Sequence, residues 1–466
     1  MYNSKTTIEI INRIFYTLYF IISIIMLLES PNCYSAAFCK AEMIIFLFFG
    51  FFYLKHKIKR LYILNFDTIF LFSYFCINYV HPCFIYPDDS FLPAFAFPYN
   101  THNMSYAVAL ASIGISSYML GNICFETKIK YKFRYYPSKR ITLLTEKVSL
   151  IISILLFLYV FFILTINYGI THLYPRLMIL IVSIISLSFY YKSTLLKSEN
   201  KIFTNNLRNN IRLQKSNIIS LLLFSISLLF LGSRGNVIFL ILFILGIFNC
   251  FYKKIKIQFL IPTMICSMLF MSILTLTRTT SINLTNSSFW QVMSIGYEKI
   301  FENSNAVWLI LLDLVVNART LYEAVDYTKE FGYLYGVSFL PYLLCFIPGG
   351  GIFITKLLLG KSTMDINTGM ILTDYANAPY GIGTNMIGDL YMNFSLIGVI
   401  IFPLLLGLLI ALCESCNNKY KSICYFSLLA NSIYIPRASI LCWTDLFVII
   451  VILDFILRYI NKICIK

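Results

Sequence analysis

Long apolar runs separated by short, basic stretches dominate the chain. Most runs are close to the roughly 20 residues that a helix needs to cross a bilayer. Twelve are predicted as transmembrane helices, at about 8–28, 36–54, 62–80, 104–124, 147–167, 174–191, 216–232, 235–252, 257–277, 384–411, 422–436 and 440–458. Basic clusters follow the even-numbered runs. Lys55, Lys57, Lys59 and Arg60 follow the second; Lys128, Lys130, Lys132 and Arg134 follow the fourth. Lys192 and Lys197 follow the sixth, Lys253, Lys254 and Lys256 the eighth, Lys419 and Lys421 the tenth, and Arg458, Lys462 and Lys466 close the chain. Basic residues collect on the cytoplasmic side of membrane proteins, so this alternation predicts that both termini are cytoplasmic. The first run is too long for the apolar region of a signal peptide and lacks a small-residue cleavage motif, so it is expected to remain as a span.

The pattern breaks once. Residues 1–277 hold nine expected spans, 384–466 hold three and the C-terminus, and 278–383 form one outer loop of about 106 residues. Loops of that size are usually functional. Within it, 305–322 has helical periodicity through Trp308, Leu311, Leu312 and Val315. The apolar stretch 333–355 is interrupted by Pro341 and by Pro348-Gly349-Gly350-Gly351, which predicts an interfacial or re-entrant element.

Composition supports this picture. Of 466 residues, 59% are hydrophobic and 12% are charged, against about 25% charged in a soluble domain. The expected fold class is therefore an all-α, polytopic integral membrane protein. The net charge of +16 is read as the cytoplasmic basic bias, with no nucleic-acid partner. Cysteines scattered through apolar runs, such as Cys76, Cys124, Cys250 and Cys266, are read as small hydrophobes. The motif Cys413-Glu414-Ser415-Cys416 has neither a second pair nor a nearby His, which argues against a zinc or redox centre. Cys33 and Cys39 share a short loop with room for one disulfide.

Candidate chemistry lies at the outer edge, where basic residues are normally depleted. Arg234 sits in Gly232-Ser233-Arg234-Gly235 between two apolar runs, and Arg437 follows Tyr434-Ile435-Pro436 in a short outer turn. Arg278 lies just beyond the ninth run, and Arg319 lies in the large loop. Guanidinium groups always carry charge and match phosphate oxygens with a bidentate fork. As interface anchors, the same arginines would only snorkel. Asp389, in Gly388-Asp389-Leu390-Tyr391, is a carboxylate near the outer end of the tenth run, costly there unless paired or catalytic. Asp445 is a natural partner for Arg437. Asp313, Glu323, Asp326, Glu330, Asp365 and Asp374 crowd the loop as unranked acid or hydroxyl-binding candidates. No P-loop, GxGxxG or DxD-like pair occupies a cytoplasmic loop, so any donor is expected to be membrane-borne and reached from outside.

Several of these stretches together resemble one family. Gly232-Ser233-Arg234-Gly235 opens an apolar run. It is followed by Gly332-Tyr333-Leu334-Tyr335-Gly336-Val337-Ser338-Phe339-Leu340 and Phe346-Ile347-Pro348, then by 381–394 running into Gly398-Val399-Ile400, and last by Pro436-Arg437-Ala438-Ser439. In order and spacing this is similar to the O-antigen polymerase (Wzy-type, oligosaccharide repeat unit polymerase) family, over about residues 216–458. Asp389 stands where many members have Glu, and the Arg-x10-Gly pattern of some members is absent: Phe289 lies eleven residues after Arg278, and Glu330 after Arg319. The resemblance implies a GT-C-like helical enzyme of the bacterial inner membrane with one large periplasmic loop, and no cofactor or metal. Its substrates would be undecaprenyl-pyrophosphate-linked glycans, with a chain-length regulator and a flippase as pathway partners. It further implies Arg234, Arg437 and Arg278 on the pyrophosphate, and Asp389 and Arg319 as catalytic. An O-antigen ligase or a repeat-unit flippase remains open as an alternative.

Overall fold

A computed structural model describes residues 2–126, 137–165, 175–199, 212–230, 234–252, 265–269, 289–301, 305–344, 350–416 and 418–463, with a few isolated positions between 258 and 273. It is helical throughout, with no strand among the described residues. Among the described residues, seven helices are long and apolar enough to cross a membrane: Glu9–Leu28, Ala36–Arg60, Phe66–Ile85, Met104–Cys124, Lys139–Phe162, Arg176–Ser198 and Met386–Cys413. They coincide with expected spans one to six and ten. Two shorter apolar helices, Lys215–Leu228 and Gly235–Phe251, lie at spans seven and eight. Most of expected span nine lies outside the described residues. The last two expected spans differ from the rest. Lys419–Ala430 has only 12 residues, and Thr444–Ile463 carries Asp445, Asp454 and Arg458. Cys33 and Cys39 are both free thiols.

The bundle is built around Met104–Cys124, which is buried almost all round. Its closest neighbour is Met386–Cys413. A Cβ on Gly121 would come within 2.2 Å of the Leu404 carbonyl oxygen, and one on Gly407 within 2.2 Å of that of Tyr118. Small residues allow such backbone approach, and in lipid close packing is a main source of helix association. Side-chain contacts then tie the helix ends together. Lys57, Glu126 and Glu414, which end or follow the second, fourth and tenth expected spans, meet at one end of the bundle. Tyr62 and Cys250 also meet, 2.9 Å apart. At the other end, the Ser105 hydroxyl donates to the Cys33 carbonyl, and Gly235 packs under Tyr434.

The expected tenth span is not one straight helix. Within Met386–Cys413, Phe394 (φ −137°, ψ 16°) and Ser395 (φ 57°, ψ −154°) leave helical geometry. Pro403, the residue most expected to kink a helix, lies further on. Residues from the large loop sustain the break. Leu334 N–H donates to the Met392 carbonyl at 2.8 Å, and Gly336 N–H to Asn393 Oδ1 at 3.1 Å. Backbone groups freed from a helix need such partners. The break leaves a short segment, 386–393, that carries Asp389 and Asn393.

Candidate functional site

Two neighbouring features define the site. One is a cavity of about 310 Å³ between the Phe66–Phe75 and Arg234–Phe251 helices, closed by 310–314 and by the 433–437 turn. Its wall follows the Arg234–Phe251 helix from Gly235 to Leu245, roughly 15 Å of helix rise. The lining is largely aliphatic. Ser73 and Ser272 hydroxyls on the wall donate to the carbonyls of Ile433 and Ile310. Arg437 and Asp313 are the ionisable lining residues. The Arg437 guanidinium lies 5.1 Å from the Tyr434 ring centroid, and no carboxylate among the described residues is within ion-pair distance of it. The expected pair with Asp445 is therefore not formed. Pro436 is the second residue of a 3₁₀ turn, Ile435–Arg437, that carries this side chain.

The second feature is Asp389, on the broken helix and 1% exposed. Its Oδ1 accepts from Thr368 Oγ1 at 2.9 Å, from Ser338 Oγ at 3.3 Å and from Asn393 Nδ2 at 3.3 Å. Asn393 Nδ2 also donates to Ser338 Oγ, 2.8 Å away. Oδ2 is buried without a hydrogen-bond partner. Ser439, two residues past Arg437, stands within electrostatic reach of the carboxyl. The 435–439 turn thus has Arg437 on the cavity side and Ser439 on the Asp389 side.

The structure brings some expected residues together and separates others. Gly235 and Arg437 both line the cavity and both pack against Tyr434, so the amino end of the Arg234–Phe251 helix lies beside Arg437. The Arg234 side chain and the whole of Arg278 lie outside the described residues. Arg319 is elsewhere and fully buried. Its Nε donates to Glu323 at 3.0 Å, Nη1 to the carbonyls of Ala94 (2.6 Å) and Phe97 (2.9 Å), and Nη2 to that of Pro98 (2.7 Å). Four of the five guanidinium N–H groups are therefore engaged within the chain. Phe97 also stacks 3.6 Å from the guanidinium carbon. That makes Arg319 a clamp on the 94–98 loop, where the sequence suggested a reacting group. Burial pulls its pKa down, against the Glu323 carboxylate. Burial raises Glu323 and Asp326 above the ordinary carboxylate range, opposed at Glu323 by Arg319 and at Asp326 by Asn103 and Lys329.

Sequence reasoning passed over three groups. Glu42 is a buried carboxylate inside Ala36–Arg60, and its Oε1 has no hydrogen-bond partner. A single acid within an otherwise apolar run was the available signal. His81 bridges Asp89 (Nε2 to Oδ2, 2.9 Å) and the Tyr322 hydroxyl (3.1 Å at Nδ1), anchoring the same loop that Arg319 holds. Ser338 and Thr368, which hold Asp389, come from loop segments 51 and 21 residues away in sequence. No family model, curated protein or solved structure matches this chain.

Proposed function

We propose that this chain is a membrane glycosyltransferase that polymerises undecaprenyl-pyrophosphate-linked oligosaccharide repeat units at the outer face of a bacterial inner membrane. The observation that carries the reading is Arg437, a cation without a described ion pair on the wall of a largely aliphatic cavity, beside the amino end of the Arg234–Phe251 helix. Such a site suits a lipid whose head is an anion. Backbone N–H groups at a helix start add to the attraction.

In this reading, a hydroxyl on the non-reducing sugar of one lipid-linked unit attacks the anomeric carbon of the growing chain. The bond to the pyrophosphate oxygen breaks, and undecaprenyl pyrophosphate leaves. Arg437 and Arg234, with Arg278 as a further candidate, stabilise the charge that develops on the leaving group. Asp389 orients an acceptor hydroxyl or a neighbouring donor through its open oxygen. Arg319 positions the loop above and touches no substrate. A chain-length regulator and a flippase of the same pathway would work beside it.

The test is deletion of the gene in its native host, followed by separation of the surface glycolipids on a gel. Collapse of the ladder to core plus one repeat unit, reproduced by Arg437→Ala, supports polymerisation. Loss of every repeat unit overturns it. Long polymer on the carrier lipid would then indicate a ligase, and unextended carrier-linked units a flippase.

A further inference from the structure

The Ala318–Phe331 helix ends in an aromatic cluster that the reaction above does not use. Tyr327 and Phe331, four residues apart, stack with centroids 5.1 Å apart and planes at 27°. Tyr375, the last residue of the Thr368–Tyr375 helix, stands edge-on to both, at 5.6 and 6.0 Å. Its hydroxyl donates to Glu330 Oε2 at 3.1 Å. Burial and then Glu330 push that phenol up to about 12, so it stays protonated. Phe331 remains 61% exposed.

The rim decides what this surface faces. Glu330 accepts from the Tyr375 hydroxyl, Asp374 precedes Tyr375 in the chain, and Asp326 and Lys329 share the Ala318–Phe331 helix with the other two rings. Carboxylates in hydrocarbon are costly, so the cluster belongs in water. The exposed Phe353, Leu357 and Leu358 of Gly350–Leu359 have no carboxylate beside them on their helix and differ in kind. The exposed Phe331 ring, backed by Tyr327 and flanked edge-on by Tyr375, with hydroxyl acceptors close by, fits a ligand with apolar ring faces and many O–H donors. The excess of carboxylates disfavours an acidic ligand. The Thr368–Tyr375 helix also fixes the distance: Thr368 donates to Asp389, and Tyr375 lies seven residues on, about 10 Å along the helix.

We propose that Tyr327, Phe331 and Tyr375 form a docking platform for a non-acidic oligosaccharide, holding the glycan a few sugar rings from Asp389. The assignment of that glycan to acceptor or growing chain rests on the function proposed above. The test uses the full-length protein in lipid nanodiscs and saturation-transfer NMR. The probes are oligosaccharide released by mild acid from the host's own surface glycan, and trigalacturonic acid. The released oligosaccharide should receive saturation at its ring C–H protons, and trigalacturonic acid should not. Phe331→Ala with Tyr375→Ala should weaken binding about tenfold, whereas Tyr375→Phe should retain it. Should the double variant fail to fold, Phe331→Ser alone, at the exposed ring, serves instead and should also weaken binding. No transfer to the released glycan, unchanged transfer in the variants, or equal binding of trigalacturonic acid overturns the platform. The two readings fail separately. A ladder that survives gene deletion, with glycan still bound, sinks the polymerase and keeps the platform. A ladder lost in Arg437→Ala, with no glycan bound, does the reverse.

Discussion

Two charged sites at opposite ends of the bundle differ in how their charges are answered. At one end, Lys57 is fully buried, with Glu414 at 2.7 Å, Glu126 at 3.5 Å and Asp67 at 3.9 Å. Arg60 pairs with Glu126, and the Tyr53 and Tyr118 hydroxyls donate to Asp67. Four elements, Ala36–Arg60, Phe66–Phe75, Met104–Cys124 and Met386–Cys413, are joined there by groups that answer one another. At the other end, Arg437 and Asp389 occupy adjacent elements, and neither has an ion pair among the described residues. The first arrangement holds helices. The second leaves a cation facing a cavity and a carboxylate with one oxygen open. In the function proposed above, the described charges assigned to substrate are the two without an opposite partner, not those most deeply buried.

The contrast breaks most easily at Lys57. Removing one member of a buried charge group leaves the others uncompensated, which costs about 3–5 kcal/mol. Lys57→Ala should lower the melting temperature of the purified protein sharply and cut its yield. A Lys57→Ala protein that melts like wild type would show that the pairing there is incidental. Arg437→Ala should do the opposite. With no ion pair to lose, its stability should change by no more than about 0.5 kcal/mol. Glycan extension should fall by about 10²–10³, as when a donor to developing charge is removed. The measurements are a melting curve in detergent and the length distribution of surface glycan. A destabilised Arg437→Ala protein would place this arginine with Lys57 and remove the contrast.

Asp389 sharpens the comparison further. Asp389→Asn keeps an acceptor for Thr368, Ser338 and Asn393, and puts an amide where Oδ2 has no partner. The unsatisfied donor should cost about 1–3 kcal/mol. Extension should fall roughly tenfold, the loss of one hydrogen bond to a charged group. Asp389→Ala should cost more stability than Asp389→Asn, because three donors then lose their acceptor. Equal extension by Asp389→Asn and wild type would assign the carboxyl to holding the loop only.

How much of this was legible in the sequence depends on range. Apolar runs one to six and ten appear as long helices, because hydropathy over some 20 residues is a local property. The gathering of Lys57, Glu126 and Glu414 agrees with the alternation of the basic clusters. The break at Phe394-Ser395 was not legible. Its cause is a pair of hydrogen bonds from Leu334 and Gly336, nearly 60 residues upstream, while the local warning, Pro403, lies elsewhere. The contacts of Arg319 were not legible for the same reason. Its partners at Ala94, Phe97 and Pro98 are more than 220 residues away. Arg437 and Asp389 could be chosen from the sequence because charges beside apolar runs stand out, but that Ser439 and Arg437 divide one turn between the two features needed the fold.

The smallest expected effect concerns pH and the carboxylates around Arg319. Glu323 and Asp326 have native pKa values raised, mainly by burial. A carboxyl raised on folding binds its proton more tightly in the native state than in the unfolded one. Its contribution is most favourable below the ordinary carboxylate range, and is lost as pH rises through that range to the raised native value. The region around Arg319 should therefore lose a little stability between mildly acidic and neutral pH, within the exchange of the 94–98 and 318–331 segments. Hydrogen exchange of those amides across this interval reads the effect directly. Asp326→Asn should flatten part of the dependence while keeping an acceptor for Asn100 and Asn103, which both donate to Asp326 Oδ1. Glu323→Gln should flatten the rest, but it also removes the charge partner of Arg319 and should loosen the 94–98 loop at every pH. A slope of opposite sign, with the loop tightening toward neutrality, would mean that Arg319 and Lys329 outweigh burial, and would group these two carboxylates with the paired charges around Lys57.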